Sequence, residues 1–205
     1  MKKARLQIWI LVAGMVASVS TARSQTITGS LWENHGVDAT PGNVPSTAPD
    51  VIFSVPNGPL NFNYTSATIG AWLASGGATI TSGAGQAGNT FNNSFIKIVG
   101  FVSVSQGQQF TVTHDDGLTF IIGTQTVINS PGPTAPVQTL GTYNGPSGNQ
   151  PFTLVYSEVF GGPAVLQLDL PLTPVPEPST YAAGALMLLT FGTGTFRMLR
   201  KKLAA

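Results

Sequence analysis

Asp115 and Asp116 stand side by side in His114-Asp115-Asp116-Gly117, with alternating apolar runs before and after them. In a regular strand adjacent side chains point to opposite faces, so neighbouring carboxylates serve one ion only where the backbone leaves strand geometry. A hairpin turn or a cis peptide bond would bring both to one side, where a hard cation such as Ca²⁺ takes oxygen ligands. The same residues also read as turn chemistry alone, Asp bonding to its own backbone and Gly117 allowing a positive φ. Both readings are open on the sequence.

Catalysis needs groups that move protons or activate a nucleophile. His35 and His114 are the only histidines, and the chain has neither a Gly-x-Ser-x-Gly elbow nor a histidine pair at helical metal spacing. Without cysteine there is no thiolate metal site, no thiol nucleophile and no disulfide. Asp115 or Asp116 with Glu158 would make a catalytic carboxylate pair only at a separation of roughly 5 to 9.5 Å. His114, at a strand end beside two acids, reads as a turn or hydrogen-bonding residue and a candidate ligand contact rather than a general base. Trp32, Tyr64, Trp72, Tyr143 and Tyr156 have faces that suit a sugar ring. Tyr156 falls inside an alternating strand and is expected in the core, whereas Tyr143-Asn144-Gly145 reads as a polar loop and makes Tyr143 the better ligand contact. The chain therefore reads as non-enzymatic.

Short apolar runs separated by Gly, Ser, Thr and Asn predict an all-β domain. Ser30 to Trp32, Val51 to Val55 and Leu60 to Tyr64 read as strands, and Ile69 to Leu73 as a strand or one helical turn. Ser82 to Asn93 reads as a loop, and its Gly-x-Gly lacks the setting of a phosphate-binding fingerprint. From Phe95 onward the pattern is clearer. Phe95 to Val104, Gln109 to Thr113, Leu118 to Ile122, Val127-Ile128, Phe152 to Tyr156 and Ala164 to Leu170 predict a run of antiparallel hairpins. Phe95, Val99, Phe101, Phe110, Val112, Leu118, Phe120, Ile122, Leu154, Tyr156, Ala164, Leu166 and Leu168 are expected to face inward.

Met1-Lys2-Lys3-Ala4-Arg5 followed by the apolar run Leu6 to Val19 predicts a signal peptide over residues 1–24, with the mature chain starting near Gln25 or at Arg23. At the other end, the prolines of Val175-Pro176-Glu177-Pro178-Ser179-Thr180 enforce an extended peptide over a linker and processing motif at 173–180. Next comes an uncharged run from Tyr181 to Phe196, 16 residues or about 24 Å as a helix. Flanking residues and a snorkelling Arg197 extend it toward the ~30 Å hydrocarbon core, which predicts a membrane helix over 181–199. Arg200, Lys201 and Lys202 open a basic cytoplasmic tail at 200–205 and, with Arg197, form the membrane-stop cluster. Between the two termini, residues 25–174 hold seven acids and one base, Lys97, a net charge of −6. Such a domain has no electrostatic footprint for nucleic acid.

The order of proline-acid-proline hexapeptide, short apolar run and basic tail over residues 175–202 resembles the PEP-CTERM sorting signal. That resemblance implies an exosortase-type processing enzyme as partner, after the signal peptidase and the secretion translocon. It also implies a transient anchor in the inner membrane, with the domain in the periplasm and then release to the cell surface or extracellular matrix.

Phe-x-Val-x-His114-Asp115-Asp116-Gly117, the apolar strand ending in Ile122-Gly123, Tyr156-x-Glu158 and the alternating Ala164, Leu166 and Leu168 resemble the second half of a PA14 domain. The first half fits loosely from Gly29 onward. The resemblance implies an antiparallel β-sandwich or barrel over residues 25–172 that binds glycan as a surface, adhesion or matrix module. It also implies a Ca²⁺ site built on the Asp115-Asp116 pair with a loop asparagine, Asn144 or Asn149, as a further ligand. A structural matrix protein without a ligand and a glycan hydrolase are the alternative functions.

Overall fold

The computed structural model describes residues 27–55, 59–65 and 68–171. The expected signal peptide, the processing motif, the membrane helix and the basic tail lie outside the described residues. Among the described residues no helix is long and apolar enough to cross a membrane.

Among the described residues eleven strands alternate with few helical turns: β1 (Ile27–Trp32), β2 (Val51–Val55), β3 (Leu60–Tyr64), β4 (Thr79–Ser82), β5 (Ser94–Val104), β6 (Gln108–Asp115), β7 (Gly117–Ile122), β8 (Gln125–Ser130), β9 (Val137–Tyr143), β10 (Gly148–Glu158) and β11 (Ala164–Leu168). They form a seven-stranded sheet in the order β4-β2-β1-β5-β10-β7-β8 and a four-stranded sheet in the order β3-β11-β6-β9. Every pairing is antiparallel. The domain is thus the expected antiparallel sandwich, but it is not a run of hairpins. From residue 94 onward only β7 and β8 are sequence neighbours that pair with each other; every other step carries the chain from one sheet to the other. Period-two alternation says which face of a strand is apolar, not which strand lies beside it.

The apolar faces of the two sheets meet in one core. Phe110, Val112, Leu118, Phe120, Ile122, Leu154, Tyr156, Ala164, Leu166 and Leu168 are buried there as expected. The phase of β5 is the reverse of the expected one. Ile96, Ile98, Val102 and Val104 enter the core, Val99 is half-buried and Phe101 is 47 % exposed. Phe95 is buried, but in a separate cluster with Trp32 and Val155. Both parities of β5 carry apolar residues between 95 and 102, so alternation alone was ambiguous; Lys97 and Ser103, which share a parity with Phe101, mark the outer face.

Ile69 to Leu73 proves to be helical, as part of α1 (Ile69–Ser75). Thr68 caps it, its Oγ1 accepting from the Ala71 N–H at 3.2 Å, and Ile69, Trp72 and Leu73 are buried. The Trp72 ring stacks on Phe62 and on Phe91, both at 4.3 Å, and faces Tyr156 at 5.8 Å. This aromatic stack fixes the ring whose hydroxyl enters the candidate site. At the opposite edge β8 and β9 approach so closely that a Cβ at Gly141 would run into the Val127 carbonyl.

Candidate metal centre

The chain passes from β6 to β7, and so from the four-stranded sheet to the seven-stranded one, through Asp115-Asp116-Gly117. The Asp115–Asp116 peptide bond is cis. Gly117 does not have the positive φ expected of it; glycine is needed there because a Cβ would collide with the Pro131 carbonyl. Glu158, the last residue of β10, reaches the same place. One carboxylate oxygen from each of Asp115, Asp116 and Glu158 lies within 4.8 Å of the others, and all three residues are buried.

Backbone donors hold the carboxylates in place. Asp116 Oδ1 accepts from the Thr134 N–H at 3.0 Å, and Oδ2 accepts from the Val159 and Phe160 N–H groups at 2.8 and 3.3 Å. Glu158 Oε1 accepts from the Gly161 N–H at 2.8 Å. Three successive N–H groups, at 159 to 161, therefore clasp two of the three acids. The Tyr156 hydroxyl lies against the Asp115 carbonyl oxygen and 3.2 Å from Glu158 Oε2. Burial, then the nearby Glu158 charge, pushes the Tyr156 hydroxyl far above its usual range, so it remains a donor.

The acids repel one another. Burial, and after it the charge of Asp116, raises Asp115 from 3.8 to about 6. The same two causes in the same order raise Glu158 from 4.5 to about 7. Lys97, the one Lys or Arg in residues 25–174, lies on β5 paired with Val155 rather than with Glu158. The cluster therefore relies on protons or on a bound cation to offset its charge. Three converging carboxylates, with no Lys or Arg beside them among the described residues, are a donor set suited to a hard divalent ion.

His114 sits beneath the cluster, fully buried. Its Nδ1 is 2.6 Å from the Asp116 carbonyl oxygen, which can only accept, so Nδ1 carries the hydrogen. Burial holds the imidazole below its ordinary 6.5, and the neutral ring accepts at Nε2 from the Thr139 hydroxyl at 2.9 Å. Both nitrogens are occupied. The expectation of His114 as a ligand contact is thereby corrected: it props the Asp116 backbone, as the hydrogen-bonding reading of this residue had it.

The other candidate residues do not join the site. Tyr143 ends β9 with its ring in the core, not in a loop, and its hydroxyl donates to the Pro146 carbonyl at 2.9 Å. Asn144 follows Tyr143, which pairs with Gln108 at the far end of β6 from Asp115, about 23 Å away along the strand. Asn149 pairs with Ser103 on β5, whereas Glu158 pairs with Ser94, about 30 Å along β10. Both asparagines thus lie away from the acidic cluster, and the fold does not bring them together with Asp115 and Asp116. Glu158 is the third carboxylate of the cluster, and its signal was the parity of Tyr156-x-Glu158, which puts the acid on the same face as a core residue.

No protein-family model matches the sequence, and comparison with curated proteins finds no match. Solved structures do match. The sugar-binding PA14 domain of an RTX adhesin superposes with a TM-score of 0.54 at 16 % identity, over 71 % of this chain and 88 % of that one. The PA14 domain of the antifreeze protein MpAFP superposes with a TM-score of 0.54 at 19 % identity, over 74 % and 82 %. The described domain has the fold of a PA14 domain.

Proposed function

We propose that this protein is an exported, non-enzymatic carbohydrate-binding or adhesion module, and that Asp115, Asp116 and Glu158 hold a Ca²⁺ ion through which a sugar is recognised. The observation that carries this reading is the convergence of three buried carboxylates with no Lys or Arg to balance them among the described residues. The fold supports it, since one of the similar structures is a sugar-binding domain. Bound Ca²⁺ would supply open coordination positions for sugar hydroxyls; the chain's own part is to aim and hold the acids through the backbone clasp at 159 to 161. Phe160, in that clasp, is 76 % exposed and offers an aromatic face beside the acids. Delivery follows from the termini: a signal peptide, then an exosortase-type enzyme acting at Val175 to Thr180 while the inner membrane holds residues 181–199, then release to the cell surface or matrix.

Calorimetric titration with Ca²⁺ of the wild type beside Asp115→Asn and Asp116→Asn tests the site. Saturable heat from the wild type that both variants lose is the expected result. No heat from the wild type, or equal heat from all three, would leave a matrix protein without this ligand site.

A further inference from the structure

The outer face of the four-stranded sheet carries a groove that the acidic cluster does not use. Its cavity is about 370 Å³, within the ~300 to 1,000 Å³ common for small-ligand sites. Asn61, Gln167, Thr113 and Gln138 lie in one row across all four strands, because Gln167 is in register with both Asn61 and Thr113, and Thr113 with Gln138. Three inter-strand gaps make that row about 14 Å long. Thr111 and Asp169 extend the lining alongside it. The opposite face of the same strands is the core, with Leu60, Val112, Leu166 and Leu168 buried, so the row stands on rigid backbone. Gln167 Nε2 donates to Asn61 Oδ1 at 2.8 Å, which orients two of the amides before any ligand arrives.

We propose that this groove binds a run of residues of an uncharged polysaccharide. Amides and hydroxyls each offer both donors and acceptors, as sugar hydroxyls do, so the row matches a neutral hydroxyl-rich chain group for group. Charge selects against the alternatives. Asp169 is the ionisable residue of the lining, and an anionic polymer would meet a carboxylate with no Lys or Arg to receive it. Thr113 and Asp115 lie two residues apart on β6, about 7 Å along the strand, so a ligand seated at the acidic cluster needs little more than one further sugar residue to reach the groove. The proposal rests on the reading of the domain as a glycan-binding module, and adds that the ligand is a chain rather than a single sugar.

The test is calorimetric titration of the full chain in detergent with neutral gluco- and manno-oligosaccharides of one to six residues, each in Ca²⁺ and in EDTA, beside oligo-alginate as an anionic chain. Affinity for a neutral series should rise about tenfold from monosaccharide to tetrasaccharide, the increment of one or two added hydrogen bonds. Thr113→Val with Gln138→Ala should remove that increment while leaving monosaccharide and Ca²⁺ affinity unchanged. Gln138 is exposed and Thr113 half-buried, and Gln138→Ala alone serves if the pair lowers the melting temperature. Equal affinity for monosaccharide and tetrasaccharide, an increment that survives the groove variants, tighter binding of oligo-alginate, or no binding of any neutral chain overturns the proposal. The Ca²⁺ reading fails separately, when monosaccharide binding persists unchanged in EDTA and in Asp116→Asn.

Discussion

Phe110 of β6 and Phe120 of β7 meet edge to face across the sandwich, their ring centroids 5.4 Å apart and their planes at 72°. Phe120 in turn meets Phe152 of β10 at 6.0 Å. One sheet supplies the first ring and the other sheet the remaining two, so this chain of rings is a bond between layers. Phe110→Ala or Phe120→Ala should each cost about 3 to 5 kcal/mol in chemical denaturation. The double variant should cost less than the sum by about 0.5 to 1.5 kcal/mol, the coupling of one aromatic pair. Strict additivity would mean that the two rings do not support each other.

The acidic cluster makes stability depend on pH in a direction set by its raised carboxyls. Asp115 and Glu158 hold protons more tightly folded, at about 6 and about 7, than at their ordinary 3.8 and 4.5. The folded state therefore binds more protons through that interval, and stability falls as pH rises from about 4 to about 7. If Ca²⁺ binds as proposed it replaces the protons, so melting temperatures with and without Ca²⁺ should coincide near pH 4 and diverge toward pH 7.5. Curves that stay parallel across this range would show that the ion does not bind these acids.

His114 should behave in the opposite sense. Its imidazole is held below 6.5, so the neutral ring contributes stability that is lost as pH falls below the unfolded value. Nitrogen chemical shifts should report a neutral ring with hydrogen on Nδ1 at pH 6.5. His114→Ala leaves the Asp116 carbonyl and the Thr139 hydroxyl unpaired and should cost on the order of 1 to 3 kcal/mol. Because His114 props the Asp116 backbone, Ca²⁺ affinity should weaken in the same variant.

Asn144→Ala and Asn149→Ala should leave Ca²⁺ affinity unchanged, since strand register separates both from the acids. Glu158→Gln should weaken it as Asp116→Asn does. A loss of Ca²⁺ binding in either asparagine variant would place the ion elsewhere.

Delivery is checked by mass spectrometry of surface or medium material, which should contain no peptide beyond about Thr180. Recovery of the Arg200-Lys201-Lys202 tail from extracellular protein would show that the processing step does not occur.

Composition and alternation by themselves determined an all-β domain, the strands β2, β3, β6, β7 and β11, and a core containing Phe110, Phe120 and Leu166. Each depends on interactions between near neighbours in the chain, which a sequence displays directly. The phase of β5 was not legible, because apolar residues occupy both of its parities; burial of one face was settled by what packs against it. The strands β4 and β9 were missed for the opposite reason: Thr79–Ser82 and Val137–Tyr143 are mostly exposed or half-buried edge strands, held by pairing with β2 and β6 rather than by a strong apolar pattern. The candidate site divides the same way. Asp115-Asp116 drew attention as adjacent acids, but the choice of third ligand depended on strand order. β10 lies next to β7 in one sheet and brings Glu158 to the crossing from β6, while the same register carries Asn144 and Asn149 to the far end of the strands. Which distant residues meet is decided by long-range pairing, and only the folded chain contains it.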